Sequence, residues 1–435
     1  MGNAHLPPLA FGLDFGTTNS SLAALLPDGS VRLARFRQGA GWTEAFRSLL
    51  YLEQVSTAGR KATKSWTGPR GIERYLAAEH KGRLIQSLKS FLSSRSLQNT
   101  EVFGRRVALE DLIAFVARDL RLEAEQQFGV PIRRVTSGRP VRFVGSQKPE
   151  DNAYAQTRLE SSLRKAGFEE IAFEFEPIGA AYFYETTLDH DELILIGDFG
   201  GGTSDFSILR VGPEVRRHGR KPEHLLANEG LGLAGDAFDA KIVRHLVAPA
   251  LGAGTSLDSA GKILPVPNWV YFKLERWHHL SLLRSSETLN MLRSVERQAL
   301  EPERIAALLF LVENDLGYHL HRAVQDLKCA LSEMEEATFR FEDGDVYIEA
   351  LVKRAEFEDW IAAELAAIET SVDQVLASAQ VQARDIDRVF LTGGSSFVPA
   401  VRRIFDTRFG RERISSGNEF TSVARGLALV GQNSL

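Results

Sequence analysis

Two short stretches of this chain repeat one local plan. Leu13-Asp14-Phe15-Gly16-Thr17-Thr18-Asn19-Ser20 is the first, and Gly197-Asp198-Phe199-Gly200-Gly201-Gly202-Thr203-Ser204-Asp205 is the second. In each, an apolar run (residues 11–13 and 193–196) meets an acid, then glycine, then hydroxyl residues, then a second strand-like run. The pattern predicts a strand, a tight turn and a strand, used twice. Glycine lets the backbone turn sharply and bring its N–H groups close to a ligand. Successive N–H groups in such a turn form a concavity that binds anions. Two facing copies would hold a polyphosphate from both sides, with Asp14 and Asp198 where a hydrated Mg²⁺ needs oxygen ligands. A single hairpin of this kind is usually only a turn; the second copy sets this chain apart.

The chain has 435 residues, 44% hydrophobic and 25% charged, enough for two substantial cores. Its 52 Lys+Arg against 57 Asp+Glu leave a net charge of -5, which does not suggest a nucleic-acid or membrane-surface binder. One cysteine, Cys329, excludes an internal disulfide framework and fits a reducing compartment. No charged start followed by a long apolar run opens the sequence, and no stretch reaches the length of a membrane span, so the expectation is a cytoplasmic protein.

Strands are predicted over 11–13, 21–26 and 31–36, and a helix over 110–128 with Glu110 and Asp111 in its first turn and Gly129 past its end. Residues 135–144 read as a strand interrupted by Gly138-Arg139-Pro140, and 151–166 as a helix ending at Gly167. Glu176-Pro177 suits a helix start. A second half begins near Leu193, and its hairpin ends near Val211. The glycine-rich stretch 228–239 leads into a helix. Residues 251–304 are less regular and carry Trp269, Tyr271, Trp277, His278 and His279. Long helices are predicted over 305–331 and 358–379, a strand over 389–391, and a last helix over 423–430.

Several residues are candidates for chemistry. Thr17, Thr18 and Thr203 offer hydroxyls to phosphate oxygens or an attacking water. Glu176 could order that water, or simply be an acid at a helix start. Lys89 is a candidate cation for a terminal phosphate, or a solvated residue on a helix face. Phosphoryl transfer rests on positioning and electrostatics, so such modest roles suffice. Gly393-Gly394-Ser395 could approach a base or ribose, or be a plain strand-to-helix turn. Three features take blander readings. Arg216-Arg217-His218-Gly219-Arg220-Lys221 is expected as a solvated hairpin tip. His278-His279 lacks metal-ligand spacing. The aromatic group at 269–277 is expected as the core of a small subdomain, with an exposed partner patch as the alternative.

These residues, taken in order, resemble a known family. The stretch from Phe11 to Ser20 resembles the first phosphate motif of the DnaK-type, 70 kDa heat-shock chaperones. The Gly-Gly-Gly-Thr-x-Asp pattern ending at Asp205 resembles the second. Glu176-Pro177-Ile178-Gly179-Ala180-Ala181 resembles the helix connecting the lobes. Gly230-Leu231-Gly232-Leu233-Ala234-Gly235-Asp236 resembles the glycine-rich stretch before the outer subdomain. Lys328-Cys329-Ala330-Leu331-Ser332 resembles the nucleotide-contacting helix, and Leu391-Thr392-Gly393-Gly394-Ser395-Ser396-Phe397 the adenosine motif. The overall extent is similar to the short, YegD-like members.

The resemblance implies an α/β, two-lobed actin-like (ribonuclease H-like) ATPase fold, with a mixed five-stranded sheet and flanking helices in each lobe. Lobe I would span 1–190, with a C-terminal helix of 420–435 packed back on it. Lobe II would span 191–419, with an outer subdomain over about 236–345. ATP or ADP with Mg²⁺ would lie between the lobes. Asp14 and Asp198 would orient the metal, and Lys89, Glu176, Thr203 and Asp198 would serve hydrolysis. Gly16, Thr17, Thr18, Asn19, Gly200, Gly201, Gly202 and Thr203 would hold phosphates. Gly394 and Ser395 would border the adenosine, Lys328 and Ser332 would reach the nucleotide from the outer subdomain, and Gly235, Gly393 and Phe397 would also bind the cofactor. Where the family sandwiches adenine between arginines, this chain carries Cys329 and Phe397. Loss of arginine stacking weakens base binding by ~0.5–2 kcal/mol, and Phe397 could stack instead.

The implied function is a slow Mg²⁺-dependent ATPase lacking the family's peptide-binding domain, its lobe closure coupled to a protein partner or client. A nucleotide-exchange factor is a further partner the resemblance allows. A monomer is expected, without nucleic acid or membrane. The rival readings are a nucleotide-gated scaffold that does not hydrolyse, a small-molecule kinase on the same fold, and a filament-forming relative.

Overall fold

Period-two alternation of apolar residues builds two sheets of one plan. A computed structural model of the chain describes residues 6–57, 60–78, 82–185, 188–218, 222–275, 283, 285–416 and 422–432. In the first sheet the strands run in the order Val31–Leu33, Asn19–Leu25, Ala10–Phe15, Arg134–Arg139, Glu170–Phe175, with the short strand Phe46–Arg47 also paired to Asn19–Leu25. In the second the order is Leu225–Leu231, Ser204–Val211, Glu192–Phe199, Arg388–Thr392, Ile414–Ser416. The first three strands of each are antiparallel, and the last two join in parallel. The registers of the two hairpins also match. Asp14 faces Ser21 and Phe15 faces Ser20, while Asp198 faces Asp205 and Phe199 faces Ser204.

Alternation then decides where the acids point. Phe11, Leu13 and Phe15 enter a core with Leu112, Ile113, Val116 and Leu120 of helix Leu109–Phe128 and with Leu159 and Leu163 of helix Pro149–Lys165. Ala10, Gly12 and Asp14 take the other face. There Ala10, Ala23, Leu25 and Leu33 pack on Ala424 and Ala428 of helix Ser422–Gln432. In the second sheet Ile194 and Ile196, in phase with Asp198, pack with Ile178, Ala180 and Ala181 of helix Glu176–Glu185 and with Val423 and Leu427. Both acids therefore leave their strands on the side served by these two helices.

The two helices cross at glycine. A Cβ built on Gly426 would fall 1.6 Å from the Gly179 carbonyl oxygen, and one on Gly12 would fall 2.3 Å from that of Ala424. Only backbone fits at either point.

Both sheets lie in one compact unit, running through Ala234 and taking in Ile368–Ser396 and the chain from Val401. A second unit comprises Gly235–Ala367 and Phe397–Ala400. Its hairpin Glu336–Asp343 and Val346–Lys353 buries Phe339, Phe341, Val346 and Ile348. In helix Trp269–Leu274, Val270, Tyr271 and Leu274 are buried and the Tyr271 hydroxyl donates to the Leu251 carbonyl at 2.9 Å, whereas Trp269 and Phe272 lie on the surface. Trp277, His278 and His279 lie outside the described residues. No helix among the described residues is long and apolar enough to cross a membrane.

The structure departs from the sequence reading in five places. The strand expected over 135–144 is Arg134–Arg139 and does not resume, because Pro140 has no N–H to give a ladder. The strand expected over 31–36 breaks after Leu33, and Phe36–Gln38 pairs elsewhere. The basic stretch after Gly212 is the short helix Pro213–His218 up to His218, and residues 219–221 lie outside the described residues. The long helix expected over 305–331 is two, Pro302–Glu313 and Gly317–Glu333, separated where Asp315 takes a left-handed φ of 55°. The helix expected over 358–379 is two, Arg354–Trp360 and Ala362–Ala379, parted at Ile361.

Candidate functional site

The two acid-bearing turns are tight by necessity. Gly200 N–H donates to the Thr203 carbonyl at 2.8 Å. A Cβ on Gly16 would fall 2.1 Å from the Asn19 carbonyl oxygen. Gly202 leaves room for only a backbone beside Val144, whose Cγ2 would be 2.9 Å from an added Cβ, with Ser90 Oγ at 3.6 Å. Gly393, at φ 82°, backs onto the second turn, where a Cβ would fall 1.9 Å from the Phe199 carbonyl oxygen. Thr17 and Thr18 remain part-exposed, and the Thr18 carbonyl accepts from Ser48 N–H at 2.9 Å. Asn19 Oδ1 accepts from Arg47 Nη1 at 3.2 Å.

Around these turns the fold gathers charge. Glu176 is the first residue of its helix, where the helix dipole favours an anion. Lys89, on the short 3₁₀ turn Leu88–Phe91, donates through Nζ to Glu176 Oε1 at 2.6 Å, and both residues are 7% exposed. Gly138 makes room for this carboxylate, since a Cβ there would fall 2.9 Å from Glu176 Cγ. Burial and Glu176 push the Asp14 carboxyl well above its ordinary range, with Lys89 pulling down and Asp198 adding to the rise. Asp198 is pushed up to about 6 by burial and by Glu176, against a 2.5 Å hydrogen bond donated by Thr392 Oγ1 and the pull of Lys89. Asp205 is held well above its ordinary range by burial, Glu176 and Asp198, although Val141 N–H donates to its Oδ1 at 3.1 Å. Burial works against the charge on Lys89, but Glu176 and Asp14 carry it above its ordinary value.

Asp14, Glu176, Asp198 and Asp205 thus sense one another within one unit. Arg139 joins them: burial lowers its pKa while Glu176 and Asp205 act to raise it, and its guanidinium sits 4.5 Å from the Phe175 ring centroid and bonds Gln156. Among the described residues no three or more His, Cys, Asp or Glu side chains form a ready-made metal cage. What the site offers instead is a buried excess of negative charge beside backbone-lined turns. That suits a dication which keeps its waters and meets the carboxylates through them.

Of the residues singled out in the sequence, Asp14, Lys89, Glu176 and Asp198 come together; the turns 16–19 and 200–203 follow the two aspartates in the chain, with Gly393 behind the second turn. Gly394 starts the short turn Gly394–Phe397 and Ser395 is buried in it. Gly235, Lys328, Ser332 and Phe397 belong to the second unit. There Lys328 Nζ lies 2.6 Å from Oδ1 of the buried Asp239 and donates to the Gly235 carbonyl at 3.4 Å, while Ser332 Oγ donates to the Lys328 carbonyl at 3.0 Å. Phe397 is 47% exposed, and Cys329 is exposed. Sequence reasoning passed over Asp205, Arg139 and Thr392 as site residues. Asp205 and Thr392 were within reach, since both lie inside the motifs that carry the acids. Arg139 carried no signal beyond its place before Pro140.

Residues 313–433 match a family described as "Hsp70 protein". The chain is also similar over nearly its whole length to proteins named "Chaperone protein DnaK". The Thermosipho melanesiensis protein is 24% identical over 422 residues, covering 96% of this chain and 58% of the relative. The Thermosipho africanus protein is 25% identical over the same span and coverage. The Thermotoga maritima protein is 24% identical over 425 residues with the same coverage. The chain therefore spans a little over half the length of these relatives.

Proposed function

We propose that this chain, which matches the Hsp70 family over residues 313–433 and resembles the ATPase portion of DnaK proteins, is a member of that family, binds ATP with Mg²⁺ and hydrolyses it slowly to ADP and phosphate. The observation that carries the reading is the pair of mirrored hairpins, whose half-buried acids Asp14 and Asp198 feel the charge of Lys89. The two sheets would be the two lobes of an actin-like ATPase. Backbone N–H groups of the turns 16–19 and 200–203, with the hydroxyls of Thr17, Thr18 and Thr203, would receive the phosphates. Asp14 and Asp198 would hold Mg²⁺ through its waters; when bound, the ion screens phosphate charge. Glu176 would orient the water that attacks the γ-phosphorus as the bond to the bridging oxygen breaks. Lys89 would turn from Glu176 toward the γ-phosphate. Gly235, Lys328, Ser332, Gly393, Gly394, Ser395 and Phe397 would serve the nucleoside.

Nucleotide state would be passed on by closure of the lobes to a protein partner or client, and a nucleotide-exchange factor is a second proposed partner. We place the protein in the cytoplasm, where its single cysteine fits a reducing compartment, and propose that it is a monomer. The reading of a scaffold that binds without hydrolysing draws on Cys329 and Phe397, which alter the adenine side and leave the phosphate side whole.

Calorimetry with ATP, ADP and GTP, with and without Mg²⁺, on wild type and Asp198→Asn tests binding, and single-turnover hydrolysis tests turnover. Mg²⁺-dependent ATP affinity lost in Asp198→Asn is the expected result. Unaltered binding and turnover in that variant would remove the metal role, and tight binding with no turnover would select the scaffold.

A further inference from the structure

Lys89 reaches Glu176 from a segment held by short turns and not by a strand or a long helix. It follows Ser87, a non-glycine residue at φ 50° whose buried hydroxyl lacks a hydrogen-bond partner among the described residues. After the 3₁₀ turn Leu88–Phe91, no strand or helix begins until Asn99–Val102. The carbonyls of such a stretch need partners that regular structure does not supply.

One side chain supplies most of them, beside the Ser94 N–H that donates to the Phe91 carbonyl at 3.1 Å. Arg158, on helix Pro149–Lys165, is 5% exposed. Its Nη1 donates to the carbonyls of Phe91 at 3.3 Å, Leu92 at 3.2 Å and Ser94 at 3.0 Å, and its Nη2 to that of Leu97 at 3.1 Å. Its Nε donates to Glu110 Oε1 at 2.5 Å, in the first turn of helix Leu109–Phe128. The guanidinium thus joins two helices of the first core to four carbonyls of the lysine-bearing segment. A planar group with donors in a fixed fork can do this; an ammonium on a flexible stem cannot meet so many separate acceptors.

We propose that Arg158 is a positioning residue for Lys89: by fixing residues 91–97 it sets the turn that aims the ammonium at the carboxylate cluster. Its consequence for catalysis rests on the role given to Lys89 above, whereas the positioning itself does not.

The test uses the whole chain as wild type, Arg158→Lys, Lys89→Gln and the double variant. The first readout needs no nucleotide. With ¹⁵N-labelled lysine, the Lys89 ammonium should give a slowly exchanging NMR signal, identified by its loss in Lys89→Gln. In folded Arg158→Lys that signal should broaden or vanish. The second readout is single-turnover ATP hydrolysis. Arg158→Lys should slow it about tenfold or more, as small misplacements of positioned groups do. The double variant should be no slower than Lys89→Gln, because Arg158 acts through the lysine. An unchanged Lys89 signal, or losses that multiply in the double variant, overturns the proposal. A lost signal with hydrolysis unchanged in both single variants upholds the positioning and removes Lys89 from the proposed reaction. Should Arg158→Lys fail to fold, Glu110→Gln loosens the same guanidinium more gently, and an undisturbed Lys89 signal there counts against the proposal equally.

Discussion

Asp14, Asp198 and Asp205 sit where desolvation and mutual repulsion disfavour their own charge, and that cost has a pH signature. Burial and Glu176 push the Asp198 carboxyl up to about 6 in the folded protein, from an ordinary value of 3.8. Above about pH 6 both folded and unfolded states carry the charge, and the folded state bears the penalty. As pH falls through 6 the folded state protonates first, so this group's contribution to stability rises, levelling off below about 4. Without nucleotide or metal, Asp198→Asn should therefore be more stable than wild type at about pH 7.5, by on the order of 1–3 kcal/mol, with the gap closing toward about pH 5. Urea titrations at the two pH values measure it; a gap that widens on acidification would show that Asp198 is not a burdened anion. The two twin acids were legible in the sequence because each sits in a local pattern of apolar run, acid and glycine. Arg139 and Arg158 were not, because their partners lie on other elements: Glu176 and Asp205 for one, Glu110 and four carbonyls of residues 91–97 for the other.

At the scale of elements, helices Glu176–Glu185 and Ser422–Gln432 meet with backbone against backbone. Gly426→Ala puts a methyl where the Gly179 carbonyl stands, so the helices must separate, and destabilisation of about 1–3 kcal/mol or more is expected. Gly232→Ala is the control, since nothing lies within 4 Å of a Cβ there, and its change should stay within about 0.5 kcal/mol. Thermal or urea unfolding of both variants decides, and equal effects would mean that the crossing is not packed as described. Elements with clear ends were predicted closely: helix Leu109–Phe128 begins with its acids and stops at Gly129, at φ 72°. The break at Asn314-Asp315-Leu316-Gly317 was missed because apolar spacing on either side outweighed four residues of turn chemistry.

For the whole molecule, the proposed ligand should be part of what holds the fold. A group that binds the native state alone stabilises it by about 2.7 kcal/mol at one hundred times its dissociation constant. ATP with Mg²⁺ should raise the unfolding midpoint in a concentration-dependent way, ATP with a chelator should do much less, and Asp198→Asn should lose the difference. Identical midpoints with and without Mg²⁺ would remove the metal from the proposal. The sequence alone determined the twin hairpins, the strand-end position of Asp14 and Asp198, and the alternation that buries one face of each strand. These follow from periodicity and glycine, which act over a few residues. Tertiary structure alone decided that Lys89 meets Glu176, that Asp205 joins the acids, and that Gly179 and Gly426 touch. Such contacts join residues far apart in the chain, and the desolvation that shifts the carboxylates exists only once the core has closed around them.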